Sequence, residues 1–470
     1  APQPAGRRYS SERRPAVPKA LCSAVRSTEG RPVTTTARPA VPLRPVGPGR
    51  AGRAQPPGPN PWRPAHLLLA PHRLAFFLAM VLLLASGLWW ALVQVDRSTG
   101  AIGLGYAVPP TITHAAVMSF GFMPLFFAGF LFTAGPKWLG VEGPGTRVLV
   151  PTLLLQAGGW LLWLAGAHTH TGIAVAGATL AAAGLGAQYL RFWGLMRRSP
   201  QADRLHAKVV AVAGTVGTLC VAGLAIALLA GAFDLARSLV LTGLWGFVVV
   251  TYLVVAHRMI PFFTSSAVPM VEAWRPFWVL WALLGAAAFE ALAVWVAASG
   301  WAGAPGWMLL QGVVELLAGG VILWLGVAWG LVQSLKVRLL AMLHLGFLWL
   351  GLAFVLAGLS QLLGLRAGVP ALGLGALHAL TMGCLGSLLV AMVTRVSCGH
   401  SGRTLVADAL VWAVFCLLQL AVLLRVAGAL DGAPLWVLTV AALLWAGVMG
   451  VWGLRLIGWY GRLRVDGRPG

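Results

Sequence analysis

Twelve apolar stretches, each long enough to cross a lipid bilayer, fill this chain of 470 residues from Leu74 to Ile457. About 20 apolar residues, at about 1.5 Å each, span the hydrocarbon of a membrane, and a helix satisfies its own backbone hydrogen bonds there. The pattern therefore predicts an all-α, polytopic membrane protein with twelve transmembrane helices in one bundle. The predicted spans are residues 74–95, 112–134, 148–167, 171–194, 208–230, 237–256, 277–299, 307–332, 338–363, 370–394, 406–425 and 434–457.

The distribution of charge supports a membrane protein over a nucleic-acid-binding protein. The net charge is +22, which would suit a phosphate backbone, but only 10% of the residues are charged and 59% are hydrophobic. Of the 34 Lys and Arg residues, 30 lie in the N-terminal tail, in connections after even-numbered stretches or at the C-terminal end, and 4 lie on the opposite side. The positive-inside rule then places both termini in the cytoplasm. The predicted partner is the lipid bilayer, and no nucleic acid is expected.

The first 64 residues differ in composition from the rest of the chain. Residues 1–64 are rich in Pro, Arg, Gly and Ser, which predicts a disordered basic tail. Such a tail is a transit peptide, a lipid-binding segment or an extension upstream of the true start, and the position of the first methionine, Met80, favours the last. The membrane domain is predicted to cover residues 65–460, followed by a short cytoplasmic tail, 461–470.

Three histidines within the spans are candidate metal ligands. His344 in the ninth span and His378 in the tenth are expected near the middle of the membrane, approached from opposite sides, and His114 opens the second span on the same side as His378. Ionisable residues inside a membrane are costly and usually functional, although a neutral imidazole also forms structural hydrogen bonds. Small residues around His378, from Gly373 to Gly383, leave room either for a flat macrocycle or for close packing of another helix.

Two segments that pair histidine with arginine are predicted to be cytoplasmic connections. They are Ala256–Thr264 and Thr394–Arg403. Guanidinium groups bind carboxylates through two hydrogen bonds, as haem propionates or an anionic substrate would require, and in the alternative they bind lipid headgroups. The candidate cofactor-binding residues in these segments are His257, Arg258, Arg395, His400 and Arg403.

Two acidic residues and two loop histidines complete the candidates. Glu290 and Glu315 lie at similar depths in spans seven and eight, where they either relay protons and select a cation or form a structural hydrogen-bonded pair. His168 and His170 lie in a short outer loop, where they form a Cu(II) or Zn site or, as is usual for exposed histidines, have no such role.

Several of these segments resemble one family. His378-Ala-Leu-Thr-Met-Gly383 and the segment Met392–Arg403 resemble the paired signature of NnrS proteins. Three shorter stretches also fit the pattern of that family: Arg258–Thr264, Leu343–Phe347, and Gly129–Ala134 with Trp138 just beyond.

The resemblance implies a bacterial inner-membrane protein that contains haem and copper and is linked to nitric oxide and nitrosative stress. It implies haem bound through His378 or His344, a metal held by His378, His344 or His114, and nitric oxide or a nitrosylated iron species as partner. One departure affects copper. The family commonly has His-Ala-His-Glu-Met where this chain has His114-Ala-Ala-Val-Met118. The alternative function is a proton- or ion-coupled secondary transporter that uses Glu290 and Glu315, although no internal repeat is evident.

Overall fold

The computed structural model describes residues 60–268 and 270–466, and within those ranges the chain is helical and has no strand. Twelve helices are long and apolar enough to cross a membrane, which confirms the predicted fold class and number of spans. They are α1 (Pro71–Thr99), α2 (Pro110–Thr133), α3 (Thr146–Thr169), α4 (Thr171–Arg197), α5 (Leu205–Leu229), α6 (Phe233–Ala267), α7 (Phe277–Ala298), α8 (Pro305–Ala328), α9 (Arg338–Gly364), α10 (Gly375–Ser401), α11 (Ala409–Ala427) and α12 (Leu435–Tyr460).

Most of the predicted basic tail, residues 1–59, lies outside the described residues. The described end of the predicted tail, residues 60–64, contacts the C-terminal end of the chain. The Trp62 indole N–H donates to the Ile457 carbonyl at 3.0 Å, and the side chain of Asn60 exchanges two hydrogen bonds with the backbone of Leu463, each 2.9 Å long. A 3₁₀ turn, Pro64–Leu69, then leads into α1.

Both segments predicted to be cytoplasmic connections are instead the final turns of helices. Helix α6 continues through His257 and Arg258 to Ala267, and Pro261 lies inside it, where its missing N–H costs the helix one hydrogen bond. Helix α10 continues through His400 and ends at Ser401, where Gly402 takes the left-handed conformation with φ 73°. A helix satisfies its own backbone beyond the hydrocarbon layer as well as within it, so the apolar stretch underestimates its length.

Three of the long helices are irregular. Helix α2 consists of Pro110–Phe120 and Met123–Thr133, because Pro124 has no N–H for the Phe120 carbonyl. Helices α6 and α10 each contain a π-helical segment, Leu244–Val249 in α6 and Ala379–Gly386 in α10. Such segments are rare in proteins and often occur at functional sites.

Small residues allow some helices to approach closely. Helices α3 and α4 pack along most of their length, and a Cβ added at Gly159 would lie 2.5 Å from the Gly177 carbonyl oxygen. The same addition at Gly166 would lie 2.2 Å from the backbone nitrogen of Ala174. Helix α1 packs against α12 and α2, and α9 packs against α8 and α10. The candidate site residues lie on α2, α6, α9 and α10, except Arg403, which follows α10.

Candidate functional site

The structure brings His114 of α2 and His378 of α10 together near their N-terminal ends, the side predicted to face outward. Their ring centres are 6.3 Å apart and their planes differ by only 9°. The Nδ1 atom of His378 lies 2.9 Å from the Leu374 carbonyl oxygen. Because a carbonyl only accepts, Nδ1 carries the hydrogen and Nε2 keeps its lone pair. The ring of Trp90 stacks on His114 at 3.8 Å and fixes its orientation.

An arginine that the sequence analysis missed lies beside this pair. Arg425, near the C-terminal end of α11, acts electrostatically on both His114 and His378. Its Nη1 atom is enclosed by protein and has no hydrogen-bond partner among the described residues. An enclosed guanidinium nitrogen without a partner is costly, so the site favours an anionic group. Its location was a usable signal, since the side predicted to face outward carries only four basic residues.

The small residues near His378 are partly used for helix packing. A Cβ added at Gly383 would lie 2.7 Å from the ring of Trp349 in α9. At Gly375 the nearest atoms, in Ala429 and Val426, would be at ordinary contact distance, 3.5 Å or more. Gly383 therefore makes room for Trp349, whereas Gly375 leaves its side of the helix less crowded.

His344 occupies a different environment from His378. It is fully buried in α9, and its Nε2 atom lies 2.9 Å from the hydroxyl oxygen of Thr264 in α6. The same hydroxyl donates to the Ile260 carbonyl at 2.9 Å, and the His344 ring also contacts the backbone of Gly326. No ring contact joins His344 to His378 among the described residues, so these two candidates do not form one ligand pair in this structure.

A large cavity lies at the opposite end of the bundle, the side predicted to be cytoplasmic. Its volume is about 320 Å³, and it is lined by α1, α2, α4, α5, α6, α9 and α10. Of the predicted cofactor-binding residues, Arg258 and His400 line it, together with His72 and His206, which the sequence analysis did not select. Both missed histidines precede the predicted spans by only two residues.

The histidines of this end form two contacting pairs. The rings of His72 and His400 lie 4.1 Å apart and are tilted by 38°. The Nε2 atom of His206 lies 3.1 Å from Nδ1 of His257, whose Nε2 in turn lies 3.2 Å from the Pro276 carbonyl oxygen.

The three predicted arginines of this end all lie over aromatic rings. Arg258 lies 4.9 Å from the ring centre of Trp138, Arg395 lies 4.0 Å from that of Phe263, and Arg403 lies 4.3 Å from that of Trp459.

The two histidines of the loop predicted to be outer have structural partners. The Trp89 indole N–H donates to Nε2 of His168 at 2.7 Å, and Nδ1 of the same ring lies 2.8 Å from the Gly105 carbonyl oxygen. His170 precedes α4 and accepts a hydrogen bond from the Gly172 amide at 3.0 Å. These hydrogen bonds give both histidines a structural role, because they hold the connection between α3 and α4 in place.

The two membrane glutamates contact one another, as their predicted depths suggested. The carboxyl groups of Glu290 in α7 and Glu315 in α8 are close enough to interact electrostatically, both side chains are buried, and Oε1 of Glu290 and Oε2 of Glu315 have no hydrogen-bond partner among the described residues. The Gln311 amide donates to Oε1 of Glu315 at 2.7 Å. Because a carboxylate only accepts, a hydrogen bond between the two groups requires a proton on one of them.

Replacing Glu290 tests whether this contact is structural. The variant Glu290→Gln keeps a donor for Glu315 and is expected to unfold near the wild-type midpoint. The variant Glu290→Ala leaves a buried carboxyl short of a partner and should lose about 1–3 kcal/mol of stability. Unfolding in mixed detergent micelles measures the difference, and equal midpoints for the two variants would contradict the contact.

Among the described residues, no group of three or more His, Cys, Asp or Glu side chains is arranged to hold a metal ion. The imidazole pairs and the cavity are the features that the candidate residues form. No curated protein and no solved structure matches the chain. The family model described as NnrS protein matches residues 66–464, which include all twelve spans and every histidine pair described above. The chain belongs to the NnrS family.

Proposed function

We propose that this protein is a membrane haem protein that acts in the response to nitric oxide and nitrosative stress. We further propose His378 and His114 as the imidazole ligands of the haem iron. The single observation that supports this assignment most is the near-parallel pair of rings 6.3 Å apart. With metal–nitrogen bonds of about 2.0–2.1 Å, two imidazoles that share one metal have ring centres about 6 Å apart.

The surrounding residues fit a haem group in two further respects. The Leu374 carbonyl holds His378 in the tautomer that presents Nε2, which is the usual arrangement around a metal-bound histidine. The unpaired nitrogen of Arg425 suits a propionate carboxylate. When bound, haem would supply an iron atom, to which nitric oxide would bind in place of one of the two imidazoles. The protein contributes orientation through Leu374 and Trp90, and it contributes positive charge through Arg425.

Copper is the other metal that this pair of imidazoles fits. The second histidine and the glutamate of the family motif are replaced by Ala116 and Val117, both fully buried and without donor atoms. A copper ion would therefore have only His114 and His378 as motif ligands, and haem iron is the better fit.

The visible spectrum and metal content of the purified protein test this proposal. Protein expressed with adequate haem supply is expected to show a Soret band that shifts when nitric oxide is added. Stoichiometric copper without a Soret band would assign the imidazole pair to copper instead. If the purified protein contained neither haem iron nor copper, the haem proposal would be refuted. The paired glutamates would then make the secondary transporter the stronger candidate.

We also propose that the protein resides in the bacterial inner membrane with both termini in the cytoplasm. A reporter fused after Gly470, or inserted near Ser199, is expected to report the cytoplasm, and one near Ala304 the periplasm. The expectation rests on the distribution of the 34 basic residues. A periplasmic signal from the Gly470 fusion would reverse the orientation of both candidate sites.

A further inference from the structure

The cytoplasmic-side cavity is separate from the His114–His378 pair and has its own chemistry. Four of the segments that carry the family resemblance contribute to its wall, through residues such as Phe130, Arg258, Leu343 and His400. Its volume of about 320 Å³ lies within the range of ligand pockets. The convergence of these segments indicates a binding site.

The wall of the cavity favours a neutral, flat and apolar ligand. It is built mainly from apolar side chains, and aromatic rings such as Phe76, Phe126 and Phe263 offer faces for stacking. Among the described residues that line it, none is acidic, whereas Arg258 is cationic. A cationic ligand would therefore find no counter-charge.

The hydrogen bonds around His206 determine which of its nitrogens carries a hydrogen. The Pro276 carbonyl only accepts, so Nε2 of His257 carries the hydrogen in that contact. His257 is fully buried and has Arg275 as a charged neighbour, so its ring is uncharged and its Nδ1 accepts. His206 must then donate from Nε2, and Nδ1 of His206 keeps the lone pair.

This free nitrogen makes His206 a hydrogen-bond acceptor in the cavity wall. Its Nδ1 has no partner among the described residues and, unlike Nδ1 of His114 and His344, it is not enclosed by protein atoms. Because Nδ1 lies next to Cβ, a macrocycle could not approach it without meeting the side chain's own helix. The group that fits best is a small O–H or N–H donor on the ligand.

Arg258 and Phe262 define the other end of the cavity and its entrance. The guanidinium of Arg258 lies over Trp138 and has no hydrogen-bond partner among the described residues, so it can donate to a ligand oxygen. Phe262 lines the cavity and is 55% exposed on the surface of α6, a membrane-spanning helix. Because Phe262 lies in the final turns of α6, at the edge of the membrane, a lipid-soluble ligand can enter beside it from the headgroup region of the bilayer.

We propose that this cavity binds the head group of a lipid-soluble quinol. One hydroxyl donates to Nδ1 of His206, the other oxygen accepts from Arg258, and the flat ring stacks among the aromatic side chains. A quinol combines these features with an apolar tail that suits the exposed edge at Phe262. His257 acts as a positioning residue, because it fixes the tautomer of His206.

Binding of a quinol and two analogues to the purified full-length protein tests the proposal by calorimetry in nanodiscs. Decylubiquinol is expected to bind at least about tenfold more tightly than its dimethyl ether and than decylubiquinone, since neither analogue can donate to His206. Equal binding of quinol and ether to the wild type would overturn the proposal without any variant.

Matched variants locate the site. His206→Phe and Arg258→Gln should each weaken quinol binding about tenfold, whereas the controls His170→Phe and Arg237→Gln should not. In His257→Phe, no acceptor holds the hydrogen of His206 on Nε2, so His206 can adopt either tautomer. The ratio of the quinone and quinol dissociation constants should therefore decrease. An unchanged ratio in that folded variant would contradict the positioning role. A protein that binds quinol but shows no Soret band would refute the haem proposal and leave this one standing.

Discussion

Replacing His378 by alanine is expected to remove the Soret band or to lower haem content by more than about tenfold. Loss of a metal ligand should exceed the 10- to 100-fold effect of losing a residue that only orients one. His378 faces His114 at 6.3 Å between ring centres, and its free Nε2 is the atom that the proposal assigns to iron. Haem content per protein, measured from the pyridine haemochrome spectrum, gives the result.

Two controls make this result specific. The double variant His168→Ala, His170→Ala should retain the spectrum, because both rings serve hydrogen bonds of the outer loop. His344→Ala removes a fully buried imidazole that bonds Thr264. If the band survives in the His378 variant and disappears in the His344 variant, haem is present but its ligand is the other predicted histidine.

Replacing Gly166 by leucine is expected to cost about 3 kcal/mol or more in unfolding free energy, and to lower the yield of folded protein sharply. Even a Cβ at this position would lie 2.2 Å from the nitrogen of Ala174 and 2.7 Å from the carbonyl carbon of Ile173. Backbone atoms cannot rotate away as a side chain can, so α3 and α4 would have to separate.

Gly158 provides the matched control, since it lies in the same helix and a Cβ there meets nothing within 4 Å. Gly158→Leu is expected to unfold close to the wild-type midpoint. Unfolding in mixed detergent micelles compares the two variants. Similar midpoints for Gly166→Leu and Gly158→Leu would show that the close approach of α3 and α4 is not needed for stability.

The sequence was sufficient for the number of spans, because hydropathy over about 20 residues reflects the thickness of the membrane. It failed at the ends of α6 and α10, because helices extend past the hydrocarbon layer and polarity alone cannot distinguish a final helical turn from a loop. This error affected Ala256–Thr264 and Thr394–Arg403, where glycine, proline and charge suggested connections. Of the side chains predicted in these two segments, Arg258 and His400 line the cavity.

Contacts between distant helices were only partly predictable. His114 and His378 were expected on the same side because the second span and the tenth are both approached from that side, but His378 was expected near the middle of the membrane, whereas it lies in the first turn of α10. Depth alone gave the pairing of Glu290 with Glu315. Arg425 could have been noticed as a basic residue on the outer side. The stacking of Trp90 on His114 could not have been predicted. It depends on how α1 is rotated relative to α2, and a single sequence contains no pattern that reveals this rotation.

The π-helical segment Ala379–Gly386 has a consequence for how α10 serves both ends of the membrane. A π turn takes in one more residue than an α turn, which rotates everything beyond it by about 100°. The segment begins directly after His378 and ends before Arg395 and His400. The π-helical segment therefore determines how the side chains of the second half of α10 are rotated about the helix axis relative to those of the first half. As a result, residues in the first half face the imidazole pair and residues in the second half face the cavity. Deleting a single residue within the π-helical segment would change the azimuth of one half without disturbing the other.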